Sequence, residues 1–209
     1  IHMGTSAVNT HLTAAGSISE TDYLSVGGWT FLTAGADINL GVSNTLVGQV
    51  QFTGANVSLT TSNELILAAS TASGSLTVSA PSMTTNGAVS SGANTTLALN
   101  GALVANSLAA ANLTITGATT VNQTGKWIIP GATALTASGV VVLNHVANDF
   151  NTLDITGTTF DVRDASALSI TQATVSSALT LVTGGTLTQT GALTVAGTTT
   201  VTATGAAIT

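Results

Sequence analysis

The chain has 209 residues, with two Lys or Arg against eight Asp or Glu and a net charge of −6. So few cations exclude neutralisation of a nucleic-acid backbone or an anionic membrane surface, and so few titratable groups leave little to build an active site from. Apolar residues make up 44% and mean hydropathy is positive, so the chain is expected to fold. No apolar run is long enough for a membrane-spanning helix, and seven aromatics cannot girdle a membrane barrel.

Taken in chain order, short apolar-x-apolar pieces recur. They are Val50–Phe52, Val57–Leu59, Leu65–Leu67, Leu76–Val78, Leu97–Leu99, Leu113–Ile115, Trp127–Ile129, Val140–Val142, Leu153–Ile155, Phe160–Val162, Leu168–Ile170, Leu179–Leu181 and Leu193–Val195. Each supplies the inward positions of a short strand, because side chains alternate across a strand. Gly, Ser and Asn turns separate them, and the density of Thr and Val argues against helix. Leu113, Leu135, Leu153, Val175 and Leu193 lie 22, 18, 22 and 18 residues apart, which matches coils of three strands. An antiparallel sandwich needs hairpin turns throughout, yet Asn86-Gly87 and Asn100-Gly101 are the only Asn-Gly pairs and no Asp-Gly occurs. The predicted fold is therefore all-β: a right-handed parallel β-helix (β-solenoid) of about ten coils of about 20 residues each, forming a rod on the order of 50 Å long.

Two internal repeats support a solenoid. Leu113 to Leu143, shifted by 66 residues onto Leu179 to Thr209, shares 11 of 31 residues. Leu24 to Leu67, shifted by 103 onto Trp127 to Ile170, shares nine of 44 and keeps its apolar register. The expected organisation is one solenoid domain over 4–209, made of two diverged repeats at about 4–103 and 104–209. His2-Met3 reads as a cloning scar, so residues 1–3 are expected to be a remnant on a piece of a longer protein.

The segments Gly185 to Gly205 and Asn148 to Ile170 look like repeats of large bacterial surface proteins. They resemble the repeat regions of filamentous haemagglutinin and related giant adhesins, which are parallel β-helices. The resemblance implies a secreted or cell-surface location in a bacterium and a role in adhesion, aggregation or filament formation. Absence of cysteine is compatible with that compartment.

No enzyme is expected. The acidic concentration Asp149, Asp154, Asp161 and Asp164, with Arg163 among them, reads as a solvated face rather than paired catalytic carboxylates or a calcium loop. His11 and His145 have no ligand partners at metal-binding spacing, so neither a metal site nor a cofactor is predicted, and no catalytic residue. Phe52, Phe160 and Trp127 align in the repeat with Ile155, Val57 and Leu24, which places them in the core. Trp29 aligns with Ala132 and Tyr23 with Lys126, so these two are expected to be exposed and are the binding candidates. The spacing between Leu99 and Leu113 is expected to throw out a loop. Alternating threonines at Thr198, Thr200, Thr202 and Thr204 raise ice binding as a third reading. The leading expectation is a rigid stalk or filament segment of a large repetitive surface protein, with a glycan- or cell-binding adhesin module as alternative. Expected partners are neighbouring repeats of the same protein, a second copy joined end to end, and a cell-surface or polysaccharide ligand. Nucleic acid and membrane insertion are not expected.

Overall fold

The computed structural model describes residues 5–6, 8–204 and 207–209; the expected remnant at 1–3 lies outside them. The described residues form strands, turns and bends with no helix, and every strand pairing is parallel. Each coil carries three strands. Leu76–Ala80, Met83–Thr85 and Val89–Ser91 are followed by Asn94–Leu99, Ala102–Ala105 and Leu108–Ala109, and each strand hydrogen-bonds to the one three places later. Stepping along one face, Val57, Leu76, Thr95, Leu113, Thr133 and Leu153 lie directly above one another. The chain is a three-faced β-solenoid of about ten turns.

One apolar core runs through the coils, because alternation sends every second residue of each strand inward. Phe52, Trp127, Phe150 and Phe160 are fully buried and are its largest side chains. The spacing of 22 and 18 has a simple origin in this geometry. Leu113 stacks on Thr133 and Leu135 on Ile155, in two adjacent inward columns, while Val175 stacks on Gly157 in a third, so the series hops between columns as the coil step itself varies.

The sequence repeats do not follow the coils. Val50 stacks on Thr30 on one face, but its repeat partner Leu153 stacks on Thr133 on the next face. Leu113 and its partner Leu179 are likewise on successive faces, since Leu179 stacks on Phe160. Both sequence offsets therefore equal a whole number of coils plus one strand, which makes the strand and not the coil the interchangeable unit.

The expected loop between Leu99 and Leu113 is absent. Those residues hold Ala102–Ala105 and Leu108–Ala109 and complete an ordinary coil. The apparent excess arose from comparing Leu97–Leu99 with Leu168–Ile170, which lie on different faces. Genuine excursions occur instead at Gly41–Asn44, where register shifts, and at Asn144–Asn148. The Asn-Gly pairs turn corners rather than hairpins: the Asn86 N–H donates to the Leu67 carbonyl and the Asn100 N–H to the Pro81 carbonyl, each one coil back.

Corners bring successive coils closest. Gly117 has φ of +72°, and a Cβ there would lie 2.1 Å from the Leu99 carbonyl oxygen; at Gly191 the distance to the Thr171 carbonyl oxygen would be 1.7 Å. By contrast, a Cβ on Gly16 meets nothing within 4 Å. Gly117→Ala is expected to lower unfolding free energy by about 1–3 kcal/mol, read as a lower urea midpoint, while Gly16→Ala leaves the midpoint in place or raises it slightly. Equal effects at both positions would refute the corner argument.

Candidate functional site

The four aspartates of the acidic segment are dispersed by the coil. Asp154 points outward from the face of Ala134 and Gln172, while Asp161 accepts a hydrogen bond from Asn144 Nδ2 at 2.9 Å on the next. Asp149 and Asp164 do meet, through Ser166 Oγ at 2.8 and 3.2 Å. Asp164 is not on a solvated face as expected: it is 2% exposed, because its strand turns the carboxylate inward to close a corner. Its Oδ1 accepts from the Phe150 N–H at 2.7 Å and its Oδ2 from the Ser166 N–H at 2.9 Å. Burial pushes the Asp164 carboxyl above its ordinary range, against the pull of those hydrogen bonds and with a smaller push from Asp149. A pair of unequal carboxylates is the signature of acid–base work, but both oxygens of this one are committed to backbone amides. Among the described residues no group of three or more His, Cys, Asp or Glu is placed to hold a metal ion.

The same corner one coil earlier is closed by amides. Asn148 is fully buried; its Nδ2 donates to Gln123 Oε1, Leu143 O and Arg163 O, and its Oδ1 accepts from the Trp127 N–H and from Gln123 Nε2. Asn44 does the equivalent near the other excursion, donating to Val42 O and accepting from the Leu24 N–H. No sequence rule singled out these two asparagines; the signal was their place inside extra-long corners, where unpaired amides accumulate. His145 belongs to this corner as well, accepting at Nδ1 from the Ala147 N–H.

The aromatics fall as the repeat alignment required. Phe52, Phe160 and Trp127 are buried, and Tyr23 and Trp29 are 51% and 40% exposed. The two candidates are not one site, however: Tyr23 sits on the turn before Ser25–Val26, whereas Trp29 leads into Thr30–Ala34. Trp29 instead stacks on Phe31 at 5.6 Å between ring centroids, and Phe31 stacks on His11 at 4.2 Å. Phe31 was not foreseen as a site residue. It lies two positions from Trp29 on the same outward side, and its pairing with His11 depends on coil register that sequence does not display.

Threonines form single files rather than paired rows. Thr13, Thr33, Thr53 and Thr71 make one, and Thr136, Thr156, Thr174 and Thr194 another. Of the alternating threonines near the C-terminal end, Thr200 stacks on Thr180 and Thr202 on Val182.

The repeats extend through the whole chain. A family model described as repeats of unknown function, DUF5649, matches residues 1–53, 54–104, 92–157 and 156–209. The chain belongs to the DUF5649 family. No curated protein and no solved structure matches it. Three of the DUF5649 matches span between two and three coils, and the match over 92–157 spans slightly more than three.

The buried corner of this DUF5649 chain carries a pH dependence. Since the folded-state value of Asp164 lies above the unfolded one, its contribution is full below the ordinary carboxylate value of 3.8 and is lost as pH rises to the raised value. Asp37 acts oppositely: hydrogen bonds from the Asn56 N–H and Nδ2 hold it below its ordinary value, so its contribution is lost only as pH falls through the lowered value. The melting temperature is thus expected to fall as pH rises through the Asp164 window. In Asp164→Asn, which still offers an oxygen to the Phe150 N–H, that fall disappears. An unchanged pH profile in the variant would remove Asp164 from the account.

Proposed function

We propose that these DUF5649 repeats are a non-enzymatic, rigid stalk segment of a large repetitive bacterial protein that is secreted or held at the cell surface. The observation that carries the reading is the parallel ladder. Successive coils are hydrogen-bonded through their backbones around one continuous apolar core. Such a stack bends little, because bending must stretch ladders on one of three faces at once. The resemblance to repeats of filamentous-haemagglutinin-like adhesins supports the compartment, as does the absence of cysteine.

The one-strand advance of the repeats favours a spacer over a repeated adhesive surface. A motif repeated every 103 residues moves to the next face, so copies wind around the rod and do not line one side. The last described coil supplies the means of joining. Leu193, Val201 and Ile208 lie with Leu181 and Leu187 around an open recess of about 130 Å³, apolar in character and shaped by the coil below. Another coil of the same kind would extend the ladder from Thr199–Ala203 and cover that layer.

Solution scattering is expected to show a rod on the order of 50 Å long at about 4.8 Å per coil. Sedimentation is expected to show concentration-dependent association that is insensitive to salt, because charge is scarce. The double variant Leu193→Lys, Ile208→Lys abolishes it. A strictly monomeric chain at high concentration would remove the end-to-end joining, and a compact scattering profile would remove the stalk.

A further inference from the structure

Two corners of the solenoid carry a chemical liability that the ladder itself creates. At both Asn-Gly pairs the ladder bond is made by the asparagine: the Asn86 N–H donates to the Leu67 carbonyl at 2.8 Å and the Asn100 N–H to the Pro81 carbonyl at 3.3 Å. The next amide along, that of Gly87 or Gly101, donates to no acceptor among the described residues. Glycines at other corners behave differently: Gly74 donates to the Ala55 carbonyl and Gly92 to the Ala72 carbonyl, each at 3.0 Å. Asn86 and Asn100 are exposed, and their side-chain amides also hydrogen-bond to nothing among the described residues.

Three conditions for attack of a backbone nitrogen on the preceding side-chain amide therefore coincide. The nitrogen is not held in the ladder, the carboxamide is not held by a partner, and glycine has no Cβ to shield the approach. The fold also keeps glycine in place. A Cβ on Gly87 would lie 2.5 Å from the Ala69 nitrogen, and one on Gly101 2.7 Å from the Pro81 carbonyl oxygen, so a larger residue would displace the coil before. Asparagines at other corners lack the combination. Asn56 and Asn112 are tied through both side-chain polar atoms, Asn44 and Asn148 are buried, and the residue after each of the four carries a Cβ.

We propose that Asn86 and Asn100 are sites of spontaneous deamidation in the folded rod. Loss of the Gly101 amide proton to solvent hydroxide frees the nitrogen's electron pair to attack Asn100 Cγ. The N–Cγ bond forms, the Cγ–Nδ2 bond breaks, and Nδ2 takes a proton from water and leaves as ammonia, so that a five-membered succinimide remains. Water then opens the ring at either carbonyl and gives aspartate or isoaspartate. Asn86 and Gly87 react in the same way. Water is consumed and ammonia released, with no oxidant and no enzyme. Each event adds one negative charge to a chain of net −6. The isoaspartate form also lengthens the main chain by one carbon just before the strand Val89–Ser91 or Ala102–Ala105. This goes beyond the stalk reading and does not depend on it.

The test is to incubate the full chain in mildly alkaline buffer, folded or unfolded in urea, and to follow peptic peptides by mass spectrometry over time. In the folded chain Asn86 and Asn100 are expected to convert at rates within about tenfold of those in the unfolded chain, while Asn56 and Asn112 stay amides. Native hydrogen exchange is expected to find the Gly87 and Gly101 amides unprotected and those of Gly74 and Gly92 protected. The acidic species that accumulates on anion exchange of the aged chain is expected to be absent from the double variant Asn86→Gln, Asn100→Gln, with circular dichroism confirming that the variant is folded. Slower conversion at both positions overturns the proposal, and slower conversion at one overturns it for that corner. Protection of the two glycine amides from exchange overturns it as well. So does equal conversion of Asn56 and Asn112 in the folded chain, which would leave the corner geometry without a role. The stalk reading is untouched by any of these outcomes, since scattering and sedimentation decide it separately.

Discussion

The backbone ladder between successive coils is the interaction on which the rest of this molecule depends. Every residue lies one rung above its counterpart about 19 residues earlier, at a spacing set by the peptide hydrogen bond, and side chains must accept that separation. Inside, apolar residues of unequal size tolerate it well: Leu, Val, Ile and Phe interchange along a column, as in Leu32 and Phe52, Val50 and Leu67, or Leu135 and Ile155. At the corners tolerance vanishes. There the chain changes direction against the carbonyls of the coil before, and Gly117 and Gly191 show how little space remains.

Polar closure of the corners follows from the same constraint. A corner interrupts the regular ladder and leaves amides whose partners must come from side chains. Short corners are served from one coil to the next: Asp37 accepts from Asn56, Asn56 from the Ser75 N–H, and Asn112 from the Ala132 N–H. Long corners require a side chain directed inward, and Asn44, Asn148 and Asp164 take that place. Asp164 is the least comfortable of the three, because burial opposes its charge while two backbone amides favour it. Both of its oxygens are occupied in closing that corner.

Because the three faces impose the same demands, one strand fits any of them. The repeats of this chain therefore drift by a strand relative to the coil, and a feature carried by each repeat winds around the rod. A binding surface that needs several neighbouring rungs cannot be made by repetition alone under such a rule. It must be written once, on one face.

Composition and alternation alone determined the all-β parallel solenoid, its three strands per coil and the burial of Phe52, Phe160 and Trp127, because inward positions are set by period-two alternation that any reader of the chain can follow. The exposure of Tyr23 and Trp29 was legible for the same reason, through their repeat partners Lys126 and Ala132. Coil register was not legible. The equal pattern on all faces hides which face a strand occupies, so the spacing between Leu99 and Leu113 read as a loop. Only the tertiary stacking decided that His11 lies on Phe31, that Asp149 meets Asp164 and parts from Asp154, and that Asn148 turns inward. Those contacts join residues about 15 to 25 positions apart across the ladder, where the backbone hydrogen bond, blind to side-chain identity, selects the neighbours.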